Sequence, residues 1–325
     1  MTELERRIKA KIPGPDTGIE VRHTMCDICS PGMHCGINAY IKDGKVIKIE
    51  GIDGHPSNDG RLCTKGMANR EYIYREDRIK TPLRRVGKRG EGRFEPISWE
   101  EAYEEIAKGL NRCKEKYGAE SVAFYSGYSK WYRQMLRRLA YAFGSPNYGC
   151  ESSACYTAAF MAWKVAAGEQ GNPDMGHSDL FLGWAFNPFY SSYMGAHSAM
   201  KLKEKGLKFL IVDTRRTPAT EKLADLFLQP KTGTDGALAH AIANVLIEND
   251  WIDRPYIDRY VYGFEEYAAY VKQFNEGNIQ SITGVPYSQV VAAARLIHEN
   301  PRMSCNESSA PLCHHRNGLQ NYRSV

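Results

Sequence analysis

Four cysteines near the amino end constrain the fold of this chain more than any other feature. Cys26, Cys29 and Cys35 are followed, after 27 residues, by Cys63, in the pattern C-x2-C-x5-C-x27-C. A structural zinc site commonly uses two C-x2-C pairs, one for each side of its tetrahedron. Three ligands from one loop and a distant fourth are instead typical of a cubane iron–sulfur cluster. The spacing therefore favours a 4Fe–4S cluster, with zinc or incidental cysteines as the alternatives.

The cysteine count and the amino-terminal residues bear on the cellular compartment. The chain of 325 residues contains nine cysteines, an odd number that argues against a disulfide scaffold. The pair Arg6-Arg7 is followed by Lys, Pro, Asp and Gly, whereas a twin-arginine export signal needs an apolar segment there. No apolar run approaches the length of a membrane span. We therefore expect a cytoplasmic protein without direct membrane insertion.

The net charge of +5 is concentrated in one segment. Residues 61–93 contain eleven Lys or Arg and four Asp or Glu, so this segment alone carries a charge of +7. No helix-turn-helix, RNA-binding or zinc-finger motif accompanies the basic residues, and we do not expect nucleic-acid binding. The segment predicts either a solvated surface that faces a partner or attraction for an anionic, phosphate-bearing cofactor.

The segment after the third cysteine is predicted to form a β-hairpin. Two partly alternating apolar runs within residues 36–51 flank Asp43-Gly44, a strong turn signal. We expect residues 21–80 to form a small cluster-binding domain rich in β-hairpins, after an N-terminal extension of residues 1–20.

The pattern changes at residue 97. Residues 97–118 predict a helix, because Ser98 and Glu101 form a capping box and one apolar stripe follows. Further on, short apolar strands such as "DLFLGWA" and "LKFLIVDTRR" alternate with helices, which predicts an α/β fold with a doubly wound parallel sheet. We place the first part of an α/β domain at residues 81–148 and a Rossmann-like domain at residues 149–325. The apolar stripe of the predicted helix consists of Ala102, Ile106, Leu110 and Cys113, and Cys113 is predicted to be a buried core residue and not a metal ligand.

Six motifs, in this order, resemble one family: "GRLCTKG", "FEPISWEEAYEEIA", "GSPN", "LGWAFNP", "IVDTRRTPATEKLAD" and "KTGTDGAL". The chain resembles the molybdopterin-dependent oxidoreductases of the dimethyl-sulfoxide-reductase type. The resemblance implies one 4Fe–4S cluster and a molybdenum or tungsten bis(molybdopterin guanine dinucleotide). It also implies two-electron redox of a small-molecule substrate, with electrons passed through the cluster to an iron–sulfur or flavin protein.

The resemblance assigns roles to residues. The four cysteines of the amino-terminal pattern match the cluster ligands, and Lys65 matches a buried lysine between cluster and pterin. Cys155 matches the residue that binds the metal, with Cys150 as its competitor, and "SAC" is expected to open a helix. The matching pterin-dinucleotide contacts are Trp184, Asn187, Asp213, Thr214, Arg215, Arg216, Gly233, Thr234 and Asp235.

The substrate and the extent of the protein are less constrained. Tyr156 follows Cys155 where formate-oxidising relatives have a His, which argues against formate; thiosulfate, polysulfide, nitrate or an organic hydroxyl compound stay open, as does non-redox hydration or hydroxyl transfer. Members of the family are longer, so we expect the Rossmann-like domain to be incomplete. The chain is then a fragment, a truncated product, or half of a split enzyme with a second chain.

Two other functional classes stay open, namely an electron-transfer subunit without a working metal centre and a zinc-stabilised binding protein. A tail with Cys305, Cys313, His314 and His315 matches no zinc template well.

Overall fold

The computed structural model describes residues 2–29, 34–128, 131–307 and 316–325, and only the backbone of Ala154. The chain forms two compact units, Met1–Cys150 and Glu151–Val325. The domain boundaries predicted at residues 20, 80 and 148 stay predictions. Among the described residues, no helix combines the length and the apolar character needed to cross a bilayer.

The first unit begins with helix α1 (Glu3–Lys9) and an antiparallel sheet of three strands in the order β1-β2-β3. The turn between β2 and β3 is Asp43-Gly44, with φ angles of 50° and 72°. Positive φ at both positions matches the twist of the flanking strands, so the predicted hairpin is present. The three strands are β1 (Glu20–Cys26), β2 (Cys35–Lys42) and β3 (Lys45–Gly51).

The rest of the first unit consists of helices and two-stranded sheets. The second pair of strands is antiparallel (β4–β5), and the third is parallel (β6–β7). The elements are α2 (Thr64–Ile73), β4 (Leu83–Arg85), β5 (Phe94–Pro96), α3 (Trp99–Tyr117), β6 (Phe124–Ser126), α4 (Arg133–Phe143) and β7 (Tyr148–Cys150).

Helix α3 starts as predicted but is not buried as predicted. Ser98 and Glu101 form the capping box, each side chain bonding to the backbone of the other. Of the apolar stripe, only Ala102 is buried; Ile106 is 58% exposed and Cys113 is half-buried. The prediction that Cys113 is a core residue is therefore wrong. The physical reason is that the two-stranded sheets of this unit offer no apolar layer wide enough to cover a 19-residue helix.

The second unit is built on a parallel sheet of four strands in the order β10-β9-β8-β11. Numbered as they occur in the chain, these strands are ordered 3-2-1-4, which is the beginning of the doubly wound dinucleotide-binding order 3-2-1-4-5-6. The α/β fold with a parallel sheet is therefore confirmed. The strands are β8 (Leu180–Trp184), β9 (Lys208–Val212), β10 (Leu226–Leu228) and β11 (Met303–Glu307).

Helices cover both faces of this sheet. Successive side chains of a strand point to opposite faces, so Leu180 and Leu182 join one apolar core while Phe181 joins the other. Strand β9 alternates in the same way. The helices are α5 (Ser152–Cys155), α6 (Thr157–Ala167), α7 (Pro188–Ser191), α8 (Tyr193–Glu204), α9 (Pro218–Lys222), α10 (Asp235–Glu248), α11 (Arg254–Tyr260), α12 (Phe264–Val271), α13 (Ile279–Thr283), α14 (Tyr287–Glu299) and α15 (Gly318–Ser324).

Candidate cofactor sites

Three of the predicted cluster ligands meet where β1, β2 and α2 come together. The antiparallel register places Cys26 opposite Cys35 at the end of the β1–β2 ladder. Cys63 is the N-cap residue of α2, and its Sγ accepts a hydrogen bond from the backbone N–H of Gly66 at 3.4 Å. A Cβ atom on Gly66 would lie 3.9 Å from the Sγ of Cys26. The buried Gly66 thus lies beside the Cys26 thiol, and its N–H donates to the Cys63 thiol.

The four thiols also interact electrostatically. Burial raises the pKa of the Cys26 thiol, and the nearby Cys63 and Cys29 raise this pKa further. Burial likewise raises the pKa of Cys35, together with Cys26, Cys63 and Cys29. Thiolates that disfavour one another need a cationic centre to hold them ionised together. The N-terminal end of α2 adds positive potential at Cys63.

The donor set of this region suits an iron–sulfur cluster. Three of the four cysteines come from one stretch of chain, and the fourth is the N-cap residue of α2. In a cubane each cysteine binds a different iron atom, and three ligands from one segment with a distant fourth are typical of that centre. The cysteines present therefore fit a 4Fe–4S cluster.

Lys65 does not have the burial that the resemblance implied. It lies in the first turn of α2, where Gly66 faces inwards, and its own side chain is exposed. Met67, on the other side of Gly66, is 59% exposed. Because α2 turns Gly66 towards Cys26, the neighbouring side chains of the same turn must point away from the sheet. The position of Lys65 between cluster and pterin stays a prediction.

Cys155 lies in the first helical turn after β7, in agreement with the prediction that "SAC" opens a helix. It is the last residue of the single-turn helix α5, and α6 starts at Thr157. The backbone N–H of Tyr156 closes the turn by donating to the carbonyl of Ser152 at 3.1 Å. Cys150 is the last residue of strand β7. The assignment of Cys155 as the metal ligand stays a prediction from the family motif.

Two predicted cofactor contacts bond to each other. The indole Nε1–H of Trp184, at the end of β8, donates to Oδ1 of Asp235, the first residue of α10, at 2.8 Å. Both residues are only 2% exposed. Direct contact with a ligand needs surface that neither side chain has. The pair instead fastens the carboxyl end of the central strand to the start of α10.

Asn187 has the properties of a ligand-binding residue. It follows β8, and both its side-chain oxygen and its side-chain nitrogen are buried without a hydrogen-bond partner among the described residues. Buried amides are almost always paired, because an unmet donor or acceptor costs about 1–3 kcal/mol. The amide of Asn187 therefore fits a molecule that both donates and accepts hydrogen bonds at the carboxyl end of the sheet.

The end of β9 adds charged groups to the same edge. Burial raises the pKa of Asp213, against the lowering effect of the backbone N–H of Arg215, which donates to its Oδ1 at 3.1 Å; nearby Asp235 raises this pKa as well. Arg215 and Arg216 are exposed. The structure thus brings Asp213 and Asp235 close enough to interact electrostatically.

The remaining predicted contacts are Gly233 and Thr234, just before α10, and Thr214, which follows β9. Gly233 has a φ of 83°, in the region that favours glycine. The hydroxyl of Thr234 donates to the carbonyl of Lys231 at 2.7 Å. Thr214 offers its own carbonyl to the side chain of Gln229 at 3.1 Å. These bonds hold the loops in place, and they leave the Arg215 and Arg216 guanidinium groups as exposed cations of this edge.

Two polar residues were missed by the sequence analysis. Nε2 of His197, on α8, is buried without a hydrogen-bond partner among the described residues. Asn58, in the loop after β3, is 2% exposed and fully bonded. Nothing in the local pattern marks His197, whereas Asn58 lies in the turn-rich stretch "HPSNDG", where an Asn is an ordinary turn residue.

The tail does not form a described metal site. Cys305 lies in β11, and burial raises its pKa well above the ordinary value, so it packs as a protonated core thiol. Cys313, His314 and His315 lie outside the described residues, as do residues 30–33 between the second and third cysteines.

Family models match both the cysteine-containing region near the amino end and most of the chain that follows it. Residues 19–75 match the molybdopterin oxidoreductase Fe4S4 domain, and residues 78–302 match the molybdopterin oxidoreductase family. The solved structure of acetylene hydratase from Pelobacter acetylenicus is similar, with a TM-score of 0.80 and 26% identity over 93% of this chain and 42% of that chain.

Curated relatives are similar over part of their length. A probable oxidoreductase of Bacillus subtilis, YoaE, is 32% identical over 93% of this chain and 45% of its own length. The thiosulfate reductase molybdopterin-containing subunit PhsA of Salmonella typhimurium is 32% identical over 86% of this chain and 37% of its own. Formate dehydrogenase H of Escherichia coli is 30% identical over 84% of this chain and 39% of its own. The chain thus spans less than half of each relative, and it belongs to the molybdopterin oxidoreductase family, with a 4Fe–4S cluster and molybdopterin as its cofactors.

Proposed function

We propose that this chain is the cofactor-binding part of a molybdenum or tungsten oxidoreductase that acts on a small molecule. The observation that carries the proposal is the convergence of Cys26, Cys35 and Cys63 in a chain that otherwise matches molybdopterin oxidoreductases. When bound, the metal centre supplies two-electron chemistry and the cluster passes electrons singly. The chain spans 45% or less of these relatives, so the activity belongs to the whole assembly, whether one chain or two supply it.

In the first unit, the proposed role of the cysteines is to bind one iron each. Cys26, Cys29, Cys35 and Cys63 are all within electrostatic range of one another, which supports a shared centre. The Gly66 N–H and the start of α2 would stabilise the negative charge of the cluster. Lys65, in the first turn of the same helix, would place a positive charge between cluster and pterin.

In the second unit, the carboxyl edge of the sheet is the proposed site of the guanine dinucleotides. Asn187 and Asp213 would contact the nucleotide directly, because each has a buried polar group at this edge. Arg215 and Arg216 would bind phosphate oxygens, for which the planar guanidinium is suited. The supporting positions, which shape the edge around these four, are Trp184, Thr214, Gly233, Thr234 and Asp235.

Cys155 is the proposed protein ligand of the metal. Soft thiolate sulfur suits molybdenum and tungsten, and Cys155 rather than Cys150 matches the family position. Tyr156 then stands beside the reacting centre, where a hydroxyl is available to hold a substrate. The named relatives include a thiosulfate reductase and formate dehydrogenases, and Tyr156 disfavours formate; a sulfur oxyanion is therefore the first substrate to assay.

Elemental analysis of anaerobically purified protein tests the proposal. We expect about four iron atoms per cluster, together with molybdenum or tungsten and a guanine-dinucleotide pterin. Cys155→Ala should abolish turnover with a dye electron donor while leaving the EPR signal of the cluster unchanged. Iron without molybdenum or tungsten would favour the electron-transfer subunit, and zinc alone would contradict both.

A second candidate function is non-redox hydration on the same scaffold. The similarity to acetylene hydratase, at a TM-score of 0.80, is the observation that favours it. The two functions differ in one measurement: a hydratase converts its substrate without net electron transfer to a dye, whereas an oxidoreductase needs an electron-transfer partner, which we expect to be an iron–sulfur or flavin protein.

A further inference from the structure

One buried amide lies behind the cluster ligands of the first unit. Asn58 is 2% exposed although it is polar, and its side chain makes three hydrogen bonds. Its Oδ1 accepts from the backbone N–H of Gly36 at 2.8 Å. Its Nδ2 donates to the carbonyl of Gly36 at 3.1 Å and to the carbonyl of Arg61 at 2.8 Å. Both amide hydrogens and the oxygen are therefore in use.

These bonds connect two segments that carry cluster ligands. Gly36 directly follows Cys35 in β2, and Arg61 lies two residues before Cys63. Asn58 and Gly36 are 22 residues apart in the chain. A single side chain thus holds the backbone beside the third cysteine against the backbone that leads to the fourth.

Close packing of glycines keeps this connection tight. A Cβ atom on Gly36 would lie 2.6 Å from the ring of His55, and one on Gly51 would overlap the backbone carbonyl of Gly60. No real Cβ atom tolerates such an approach, so the loop of residues 52–61 is pressed directly onto β2 and β3.

A different set of contacts places Cys26 relative to Cys35. Cys26 lies opposite Cys35 in the β1–β2 register, which runs without interruption from Glu20 to Cys26. That ladder does not involve Asn58. The separation between Cys26 and Cys35 therefore depends on strand pairing, whereas the separation between Cys35 and Cys63 depends on the loop that Asn58 fastens.

We propose that Asn58 is a positioning residue for the 4Fe–4S cluster: its amide sets the distance between the Cys35 and Cys63 thiols before the cluster is bound. The inference rests on the assignment of these cysteines as cluster ligands. It predicts that loss of the amide changes the distances from Cys63 to the other thiols and leaves the Cys26–Cys35 distance unchanged.

Cross-linking of the full chain tests this without reference to turnover. The cluster is removed anaerobically with a chelator, the thiols are joined by a short bis-maleimide, and the linked peptides are quantified by mass spectrometry. Asn58→Ala should lower the Cys35–Cys63 product about tenfold relative to Cys26–Cys35, because buried hydrogen bonds are lost. Asn38→Ala is the matched control, since Asn38 lies in the same sheet and makes one long bond of 3.4 Å to Gly51.

Asn58→Asp separates the contributions of the bonds. The carboxylate still accepts from the Gly36 N–H but cannot donate to the carbonyls of Gly36 and Arg61, so we expect the Cys35–Cys63 product to fall as in Asn58→Ala. With the cluster in place, both variants should release iron to a chelator about tenfold faster than the Asn38→Ala control.

Two results would overturn the inference. An unchanged ratio of Cys35–Cys63 to Cys26–Cys35 in Asn58→Ala would show that the amide does not set this distance. Equal loss of both products would make Asn58 a general requirement for folding and not a positioning residue. If the wild-type chain holds zinc and no iron–sulfur cluster, the proposed function itself is wrong. The metal analysis identifies that case separately.

Discussion

The two units differ in what fills their interiors. In the first unit, the buried apolar side chains that pack together are those of Cys26, Ile37 and Ala39. Of these, Cys26 is also a proposed ligand of the iron–sulfur cluster. In the second unit, two apolar cores cover the two faces of a four-stranded sheet. Small domains with little apolar core usually depend on metals or disulfides for stability. We therefore expect loss of the cofactor to lower the stability of the first unit more than that of the second.

Two helices show the same difference. Helix α3 has 19 residues, of which only Ala102 is buried. Helix α10 has 14 residues, and seven of them are buried, including Leu238 and Asp235. Helix α3 is strongly amphipathic and polar on average, whereas α10 is weakly amphipathic and apolar on average. A helix that is apolar on most sides is suited to burial, and α10 also has a four-stranded sheet to pack against.

Removal of the cluster should have the largest effect on this contrast. A bound metal centre stabilises the folded state that holds it. After chelation, we expect the amides of β1, β2 and β3 to exchange with deuterium faster than in the loaded protein, while those of β8 and β9 keep their protection. Hydrogen exchange read by mass spectrometry measures both at once. Unchanged protection in β1–β3 would show that the cluster adds nothing to the stability of this sheet.

Truncation of apolar side chains should have the next largest effect. Leu238→Ala in α10 removes a fully buried side chain, and we expect a loss of about 2–5 kcal/mol in the free energy of unfolding of the second unit. Ile106→Ala in α3 is the matched change at a 58% exposed position, and it should cost about 0.5 kcal/mol or less. Denaturant titration provides the measurement. A comparable cost at Ile106 would mean that α3 is covered in solution.

The bond between Trp184 and Asp235 provides a smaller test within the second unit. Asp235→Ala leaves a buried indole N–H without its acceptor, so we expect a loss of about 1–3 kcal/mol. Asp235→Asn keeps an oxygen acceptor of the same shape and should lose less. Urea unfolding curves of the three chains rank them. If Asn and Ala cost the same, the bond would not be what holds α10 to the end of β8.

A pH effect in the second unit should be the smallest. Burial lowers the pKa of His240, which lies on α10 and contacts the hydroxyls of Tyr267 and Ser324 at 3.2 and 3.0 Å. The folded pKa is below the unfolded value of about 6.5, so protonation favours the unfolded state. The stability contribution is complete above that value and is lost as the pH falls below it.

His240→Gln removes the titrating group and serves as the comparison for this effect. The melting temperature of the wild-type chain should fall further between pH 7 and pH 5 than that of the variant. Equal losses in both chains would assign the pH dependence to other groups.

Much of the architecture was predictable because it depends on local pattern. The Asp43-Gly44 hairpin, the capping box of Ser98 and the alternation of strands and helices follow from residue types that are close together in the chain. The cysteine spacing likewise indicates a cluster, because three closely spaced thiols and a distant fourth suit a cubane. A prediction failed where it required knowledge of what covers a residue, as for Cys113.

Side-chain chemistry and short-range periodicity are enough to specify the kind of metal centre, the parallel α/β class and the set of polar residues at the strand ends. How those residues are used depends on tertiary packing. Trp184 and Asp235 are 51 residues apart and bond to each other, and Asn58 connects to Gly36 across 22 residues. Such pairs form only when strands and loops pack together, and no local pattern records which distant backbone a buried amide or indole will meet.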